Sequence, residues 1–311
     1  GVWGAGRSAA RTPARAEQAW EAADGPPPGF EYLVHPLGFL PGQDGPAADG
    51  YVASDDGSGI SPLELANASG SGVVDASRGP TLFCFALTMS DGYEMDLMTM
   101  FWKNKASLFA CDEYTVYSGE AFELVPSVMT EGIGDTHCEY GGPYNLALNS
   151  DIFVRVWQRV IAGSFWRLND WTVKVDPDAV YFPDRLRFHL IPYKGKRVYF
   201  ANCNSTQFRK TEPEGPKLFG ALEVFSKEAV ETYERGKAKC EKGDYTSMPE
   251  DYYMQTCMVM LGVKDYFDYL MVGDSRCNFA TCKDASRMAY HPFKDLPSYQ
   301  ACFKQAIGEI A

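Results

Sequence analysis

Beyond residue 80 the spacing of apolar positions changes repeatedly, and each change marks an element. "TLFCFAL" (81–87) is a continuous apolar run of the length expected for a strand buried on both faces, and Ser90, Asp91 and Gly92 behind it form a turn. "YEMDLMTMFWKNKA" (93–106) has helical character, and "ACDEYTVYS" (110–118) returns to a strand pattern. "NLALNSDIFVRVWQRVIA" (145–162) reads as an amphipathic helix with Asn149 or Ser150 as N-cap. "DWTVKV" (170–175) and "RVYFANCN" (197–204) read as strands, and His189 as a strand residue rather than a ligand. "FSKEAVETYERGKAKC" (225–240) and "MPEDYYMQTCMVMLGV" (248–263) read as helices. Alternating strands and helices predict an α/β fold, an open and mostly parallel sheet covered by helices.

Residues 1–80 follow none of these patterns. Gly and Pro fill 23 of those 80 positions, against 25 of the 231 that follow, a level at which an extended, irregular arm is expected. The chain therefore divides into an arm, 1–80, and an α/β domain, 81–311. Arg7, Arg11 and Arg15 open the arm, and ten acidic residues and only Arg78 follow them. "RTPARAEQAWEAAD" (11–24) has the pattern of a short helix, and "GFEYLVHPLGFLPG" (29–42) is an apolar island too small for a core. The arm is expected either to wrap its own domain or to dock along other protein subunits of a larger assembly.

A net charge of −12 argues against nucleic acid, since no basic surface is available to displace counterions. No apolar run approaches the roughly 18 residues of a membrane span, so membrane association would come through partners. The start at Gly1 is expected of a chain whose targeting peptide has been removed. Nine cysteines occur, none before Cys84 and none in a CxxC pair, which argues against a zinc ribbon. Spread cysteines point to disulfides in an oxidising lumen, with one thiol left over. Asn67-Ala-Ser and Asn204-Ser-Thr match the glycosylation triplet.

Candidate chemistry begins where "DWTVKV" ends. In open α/β sheets ligands bind outside the carboxyl ends of strands. Asp176 and Asp178 stand at such an end, with Pro177 stiffening the loop between them. Two carboxylates offer hard oxygen ligands for Mg2+ or Mn2+, which would bridge to a diphosphate. The competing reading is a turn or cap after a buried strand. Read alone, Glu250 and Asp251 after Ser-Met-Pro are an ordinary acidic helix start, and His291 before Pro292 is a loop turn.

Four segments, in order, resemble the fringe and β1,3-galactosyltransferase group of GT-A glycosyltransferases. They are "FCFALT" with "FW" and "CDEYTVYS" after it, "DWTVKVDPDAVYFPDRLR", "GALEVFSKEAVETY", and "PEDYYMQTCMVMLGV". The wording "FACDEYTVYS…DWTVKVDPDAV" and "HPFKD" is also similar to a large set of dinoflagellate proteins carrying such a domain. The resemblance implies a single GT-A-like, Rossmann-like domain. It assigns Asp176, Asp178 and His291 to a metal, Asp176, Asp178 and Thr88 to the donor, and Asp251 with Glu250 to acid–base catalysis. It implies Mn2+ or Mg2+ with a UDP-sugar, and disulfides Cys84–Cys111 and Cys240–Cys257, with a third bridge among Cys277, Cys282 and Cys302. "LFGALEVF" departs from the family, placing Ala221 and Glu223 where glycines are usual, which is expected to narrow or recharge the acceptor site. "EGIGDTHCEYGGPY" (131–144) has no family counterpart.

Two functions follow from this reading. One is an accessory subunit of a lumenal membrane assembly, such as a photosystem in a thylakoid lumen, docked by its arm on a glycosyltransferase-like scaffold. The other is an active, metal-dependent, inverting glycosyltransferase of a Golgi or secretory lumen, moving a sugar from a nucleotide-sugar donor to a hydroxyl acceptor.

Overall fold

A computed structural model describes residues 79–141, 145–204, 217–242, 246 and 248–310. The arm up to residue 78, with its 11–24 helix, its apolar island and Asn67, lies outside the described residues.

The chain opens with β1 (Leu82–Leu87), α1 (Tyr93–Asn104) and β2 (Glu113–Ser118), joined at the first turn by Gly92, whose φ of 80° suits glycine. Five short strands follow: β3 (Glu123–Val125), β4 (Val128–Met129), β5 (Glu131–Gly132), β6 (Glu139–Gly141) and β7 (Leu146–Leu148). Then come α2 (Ser150–Gly163), β8 (Trp171–Val175), β9 (Val180–Tyr181), α3 (Pro183–Leu190) and β10 (Val198–Ala201). The last third holds β11 (Leu222–Ser226), α4 (Lys227–Cys240), α5 (Glu250–Met260), β12 (Lys264–Phe267), β13 (Val272–Gly273), β14 (Ala289–Tyr290) and α6 (Leu296–Ala306).

Seven strands form the main sheet in the order β12-β10-β11-β8-β1-β2-β5. The sheet is mostly parallel, as expected, and β11 runs antiparallel to both β10 and β8. Side-chain alternation on β1 shows how both faces are filled. Leu82, Cys84 and Ala86 join one apolar cluster with α1, α3 and α6, while Phe83 and Phe85 join another with α2, α4 and α5. Trp157 of α2 anchors the second cluster, edge-on to Phe85 and Phe225 at 5.2 and 5.3 Å between ring centres. Each such large side chain withdrawn from water contributes about 1.5–3 kcal/mol.

Strand β8 alternates in the same way, with Trp171, Val173 and Val175 in the first cluster. Thr172 and Lys174 therefore face the α2 and α5 side, which buries a lysine inside the sheet. Ser226 ends β11 and caps α4: its hydroxyl accepts from Ala229 N–H at 3.1 Å and from Val198 N–H at 3.0 Å. Beyond β10, Cys203 and Lys217 exchange both backbone hydrogen bonds at 2.9 Å, closing the segment between them at its base.

Four disulfides are present: Cys84–Cys111, Cys203–Cys277, Cys240–Cys257 and Cys282–Cys302. Among the described residues Cys138 is the one free thiol. Three bridges match what the resemblance implied, Cys282–Cys302 being the third among the late cysteines, and Cys203–Cys277 was not expected. Cys282 pairs with Cys302, while Cys277 reaches back to Cys203 because Asn278 is bonded to the chain just after β10. Four disulfides are the signature of an oxidising, lumenal or secreted compartment. No described helix is long and apolar enough to cross a membrane.

Another expectation is corrected. His189 lies in α3, not in a strand, and its ring bonds the Asp268 carboxylate. The amphipathic helix does begin at Ser150 with Asn149 as its N-cap, as expected, and Leu146–Leu148 before it pair with β6.

Candidate functional site

The carboxyl end of β8 delivers Asp176, whose backbone N–H donates to Ala221 O at 3.1 Å. Pro177 and Asp178 follow, and the chain re-enters regular structure at β9. A second sheet of three very short strands, β13-β14-β9, then completes the cluster. Strand β14 pairs antiparallel with β9, Tyr290 opposite Val180, so the residue after Tyr290 returns to the residues before Val180. That residue is His291. Strand β14 is also parallel to β13, Tyr290 beside Gly273, which sets Asp274 next to the same histidine. His291 N–H donates to Gly273 O at 3.0 Å and Phe293 N–H to Asp178 O at 2.8 Å, locking the crossing.

One ligand atom each from Asp176, Asp178 and His291 lies within 4.8 Å of the other two. His291 Nε2 stands 3.2 Å from Asp178 Oδ1 and 3.9 Å from Asp176 Oδ2. Its Nδ1–H donates to Asp274 Oδ2 at 2.6 Å, and Arg276 holds Asp274 with contacts at 3.2 Å. This is the carboxylate–imidazole arrangement that fixes a metal-binding histidine, and it turns Nε2 toward the two aspartates. Two carboxylates and one imidazole are a donor set suited to Mn2+ or Mg2+, so the residues fit the expected ion.

Charge in the cluster is held by neighbours. Burial disfavours the ionised Asp178 carboxyl, but the bond and charge of His291 outweigh it and keep Asp178 below the usual range. Burial alone would lower His291, and the bonds to Asp178 and Asp274 instead push it up to about 9. Asp274, opposed by burial but bonded by His291 and Arg276, falls to about 2.

Lys174, 1% exposed, lies beneath this cluster. Its Nζ reaches Asp176 Oδ1 at 2.6 Å, Glu250 Oε1 at 2.8 Å and Gly220 O at 2.6 Å. Burial alone would favour the neutral amine, but the Asp176, Glu250 and Glu223 carboxylates hold the ammonium charged. Glu223 sits opposite Lys174 on β11, its Oε1 3.9 Å from Nζ, and is fully buried. Burial raises its carboxyl well above the ordinary value. Glu223 is not among the residues that line the open cavity. Ala221 does line the cavity.

The acidic pair of α5 divides into two environments. The N-terminus of α5 abuts that of α2: Glu250 N–H donates to Asn149 Oδ1 at 3.1 Å and Ser150 N–H to Met248 O at 3.2 Å. Glu250 turns inward to Lys174, which overcomes burial and keeps its carboxyl ionised below the usual range. Asp251 accepts from Gly220 N–H at 3.1 Å and Tyr252 N–H at 2.7 Å. Burial, reinforced by the Glu250 charge, pushes Asp251 up to about 7. One carboxylate is a fixed counter-charge, and the other can exchange a proton near neutral pH.

A cavity of about 930 Å³ joins these groups, lined by Thr88, Asp176, Asp178, Glu250, Asp251 and His291 among others. Every site residue expected from the sequence thus borders one space. Thr88 is buried at its edge, its hydroxyl 3.3 Å from Glu94 Oε2. The segment without a family counterpart contributes Asp135, Thr136, His137 and Cys138 to the wall. Sequence reading missed Lys174, Asp274 and Arg276. Lys174 was visible as a charge inside the apolar alternation of "DWTVKV", whereas Asp274 and Arg276 follow a two-residue strand with no pattern to read.

No protein-family model matches the chain, and no curated protein matches it. Among solved structures the chain is similar to a glycosyltransferase involved in the glycosylation of the major capsid of PBCV-1. The identity is 8%, over 74% of this chain and 100% of that one, with a TM-score of 0.41. At that score and identity, neither fold family nor chemistry follows from the likeness.

Proposed function

We propose that this chain is a metal-dependent glycosyltransferase of the inverting type, moving a sugar from a nucleotide-sugar donor to a hydroxyl acceptor. The observation that carries the reading is the Asp176–Asp178–His291 cluster opening into the same cavity as Asp251. The GT-A resemblance of the sequence, including its fringe-like and dinoflagellate-like segments, points the same way. Asp176, Asp178 and His291 would hold Mn2+ or Mg2+, which when bound would neutralise the donor diphosphate.

The remaining roles fall to the chain itself. Asp251, raised to about 7, is the general base: it takes the proton of the acceptor hydroxyl as that oxygen bonds to the anomeric carbon. The bond from that carbon to the diphosphate breaks in the same step, and the electron pair leaves with the phosphate oxygen. Glu250 is held on Lys174 and serves as its counter-charge. Thr88, at the end of β1, borders the donor side.

On this reading the catalytic unit is the domain from 81 onward, and its compartment is a Golgi or secretory lumen. The alternative role, a subunit of a lumenal assembly such as a photosystem, depends on docking by residues 1–80. Of these only 79 and 80 are described, and no observation favours it.

The test is calorimetric titration of Mn2+ and a panel of UDP-sugars into the protein and into Asp176→Asn. Saturable, metal-dependent donor binding that is lost in the variant supports the reading. Absence of binding by either protein refutes it.

A further inference from the structure

Lys174 touches neither the cavity's open space nor any atom expected to react, yet it joins the two halves of the site. Its ammonium is bonded at once to Asp176 Oδ1 (2.6 Å) and Glu250 Oε1 (2.8 Å). Asp176 therefore has one oxygen engaged and turns the other, Oδ2, toward His291 at 3.9 Å. Glu250 lies outside the Asp176–Asp178–His291 cluster and is bonded to the lysine that holds Asp176, although its charge also acts on Asp176 directly. Gly220 closes the figure, accepting from Lys174 through its carbonyl at 2.6 Å and donating to Asp251 at 3.1 Å. A Cβ on Gly220 would stand 2.6 Å from Glu250 Oε1 and would displace that carboxylate.

On this geometry, and resting on the metal-site reading above, we propose that Lys174 is a positioning residue that ties divalent-cation affinity to Glu250. Lys174 restricts Asp176 to one free oxygen for the ion. Glu250 shares the ammonium and so sets how strongly it holds Asp176. Two effects then act in the same direction when Glu250 loses its charge. The ammonium bonds Asp176 more tightly and competes with the ion, and its positive charge, no longer offset from the α5 side, repels the ion. The coupling is reciprocal: an ion on Asp176 Oδ2 draws charge from the carboxylate, weakens the hold of Oδ1 on Lys174 and strengthens the lysine's bond to Glu250, beside the candidate base.

The experiment is a double-mutant cycle read by Mn2+ binding, using calorimetry and the loss of the free-Mn2+ paramagnetic resonance signal. Glu250→Gln is expected to weaken Mn2+ binding about tenfold, the lower end of what outer-sphere partners of metal ligands contribute. In a Lys174→Met background the same Glu250→Gln change is expected to shift the affinity by less than about twofold, because the connecting ammonium is gone. Lys174→Arg, which keeps the charge, should retain most of the Glu250 dependence. If circular dichroism shows that Lys174→Met does not fold, Lys174→Met/Glu223→Gln, which removes a buried carboxylate with the ammonium, serves as background. Equal effects of Glu250→Gln in both backgrounds, or none in the natural protein, overturn the coupling while leaving the metal site standing. Absence of Mn2+ binding by the unaltered protein overturns the coupling and the proposed function together.

Discussion

Asp251 carries the clearest pH consequence of the site. A base held at about 7 is mostly protonated at pH 6 and mostly ionised at pH 8. The expected kcat/KM for transfer therefore rises through about pH 7 to a plateau, and Asp251→Asn abolishes it across the range. Stability should move the other way. The folded carboxyl is raised above its unfolded value of about 3.9, so its contribution is full below that pH and is lost as pH climbs through about 7. Asp251→Asn should thus gain stability over the natural protein between about pH 4 and pH 7 and hold that gain above, at about 1–3 kcal/mol. Urea unfolding at pH 4 and pH 8 reads it directly; a gain of the same size at both pH values would refute the assignment.

Gly220→Ala is a sharper perturbation at this scale. The added methyl would overlap Glu250 Oε1 at 2.6 Å and press on Lys174 Nζ at 3.4 Å. Overpacking of this kind costs about 1–3 kcal/mol, and the same denaturant titration should show it. Asp176 and Asp178 could be named from sequence because they stand at a strand end, whereas Glu250, Asp251 and His291 were named through the resemblance, since an acidic helix start and a histidine beside proline are ordinary local patterns. Lys174's bonds to Glu250 and Gly220 and Asp274's bond to His291 could not be read from sequence, because they join residues 76, 46 and 17 positions apart through the fold.

At the scale of elements, long buried strands and the helices that cover them were legible from period alone. The two-residue strands β9, β13 and β14 were not, since two positions carry no period, and they are the ones that bring His291 to Asp178. Helix α6 was missed for a different reason. Its local signals are Asp295 accepting from Ser298 N–H as N-cap and Pro297 in the first turn, over a helix of only 11 residues. The direction of strand β11 was not legible, because antiparallel pairing to β8 is fixed by the chain returning from β10. Its last residue is testable. Ser226→Ala removes the cap of α4 and leaves Val198 N–H without its acceptor, so thermal unfolding should show a loss of about 1–2 kcal/mol.

For the whole molecule, the disulfides distribute constraint around the sheet rather than along one face. Cys84–Cys111 ties β1 to the start of β2, Cys240–Cys257 ties α4 to α5, and Cys282–Cys302 fastens α6. Cys203–Cys277 is the one that reaches the site, since Cys277 N–H donates to Asp274 O at 3.1 Å and Arg276 lies between. Replacing that pair by serines should lower stability by about 2–4 kcal/mol, as for other native bridges, and should weaken Mn2+ binding. The Cys240→Ser/Cys257→Ser variant, chosen for comparison, should lose stability with a smaller effect on the ion. Equal Mn2+ affinities in the two variants would show that the first bridge does not support Asp274.

The paired hydrogen bonds between Cys203 and Lys217 have a consequence for how such a protein can diversify. They form a hitch that isolates Gly220 and β11 from whatever length of chain lies between, because the two ends are already fixed to each other at 2.9 Å. Lengthening a closed loop is thermodynamically mild, about 0.6 kcal/mol per doubling. Insertion of Gly-Ser-Gly-Ser after Lys210 should therefore leave Mn2+ affinity unchanged and stability within about 1 kcal/mol of the original. Exposed Asn204, at the start of the enclosed segment, can likewise carry a glycan without strain on the site.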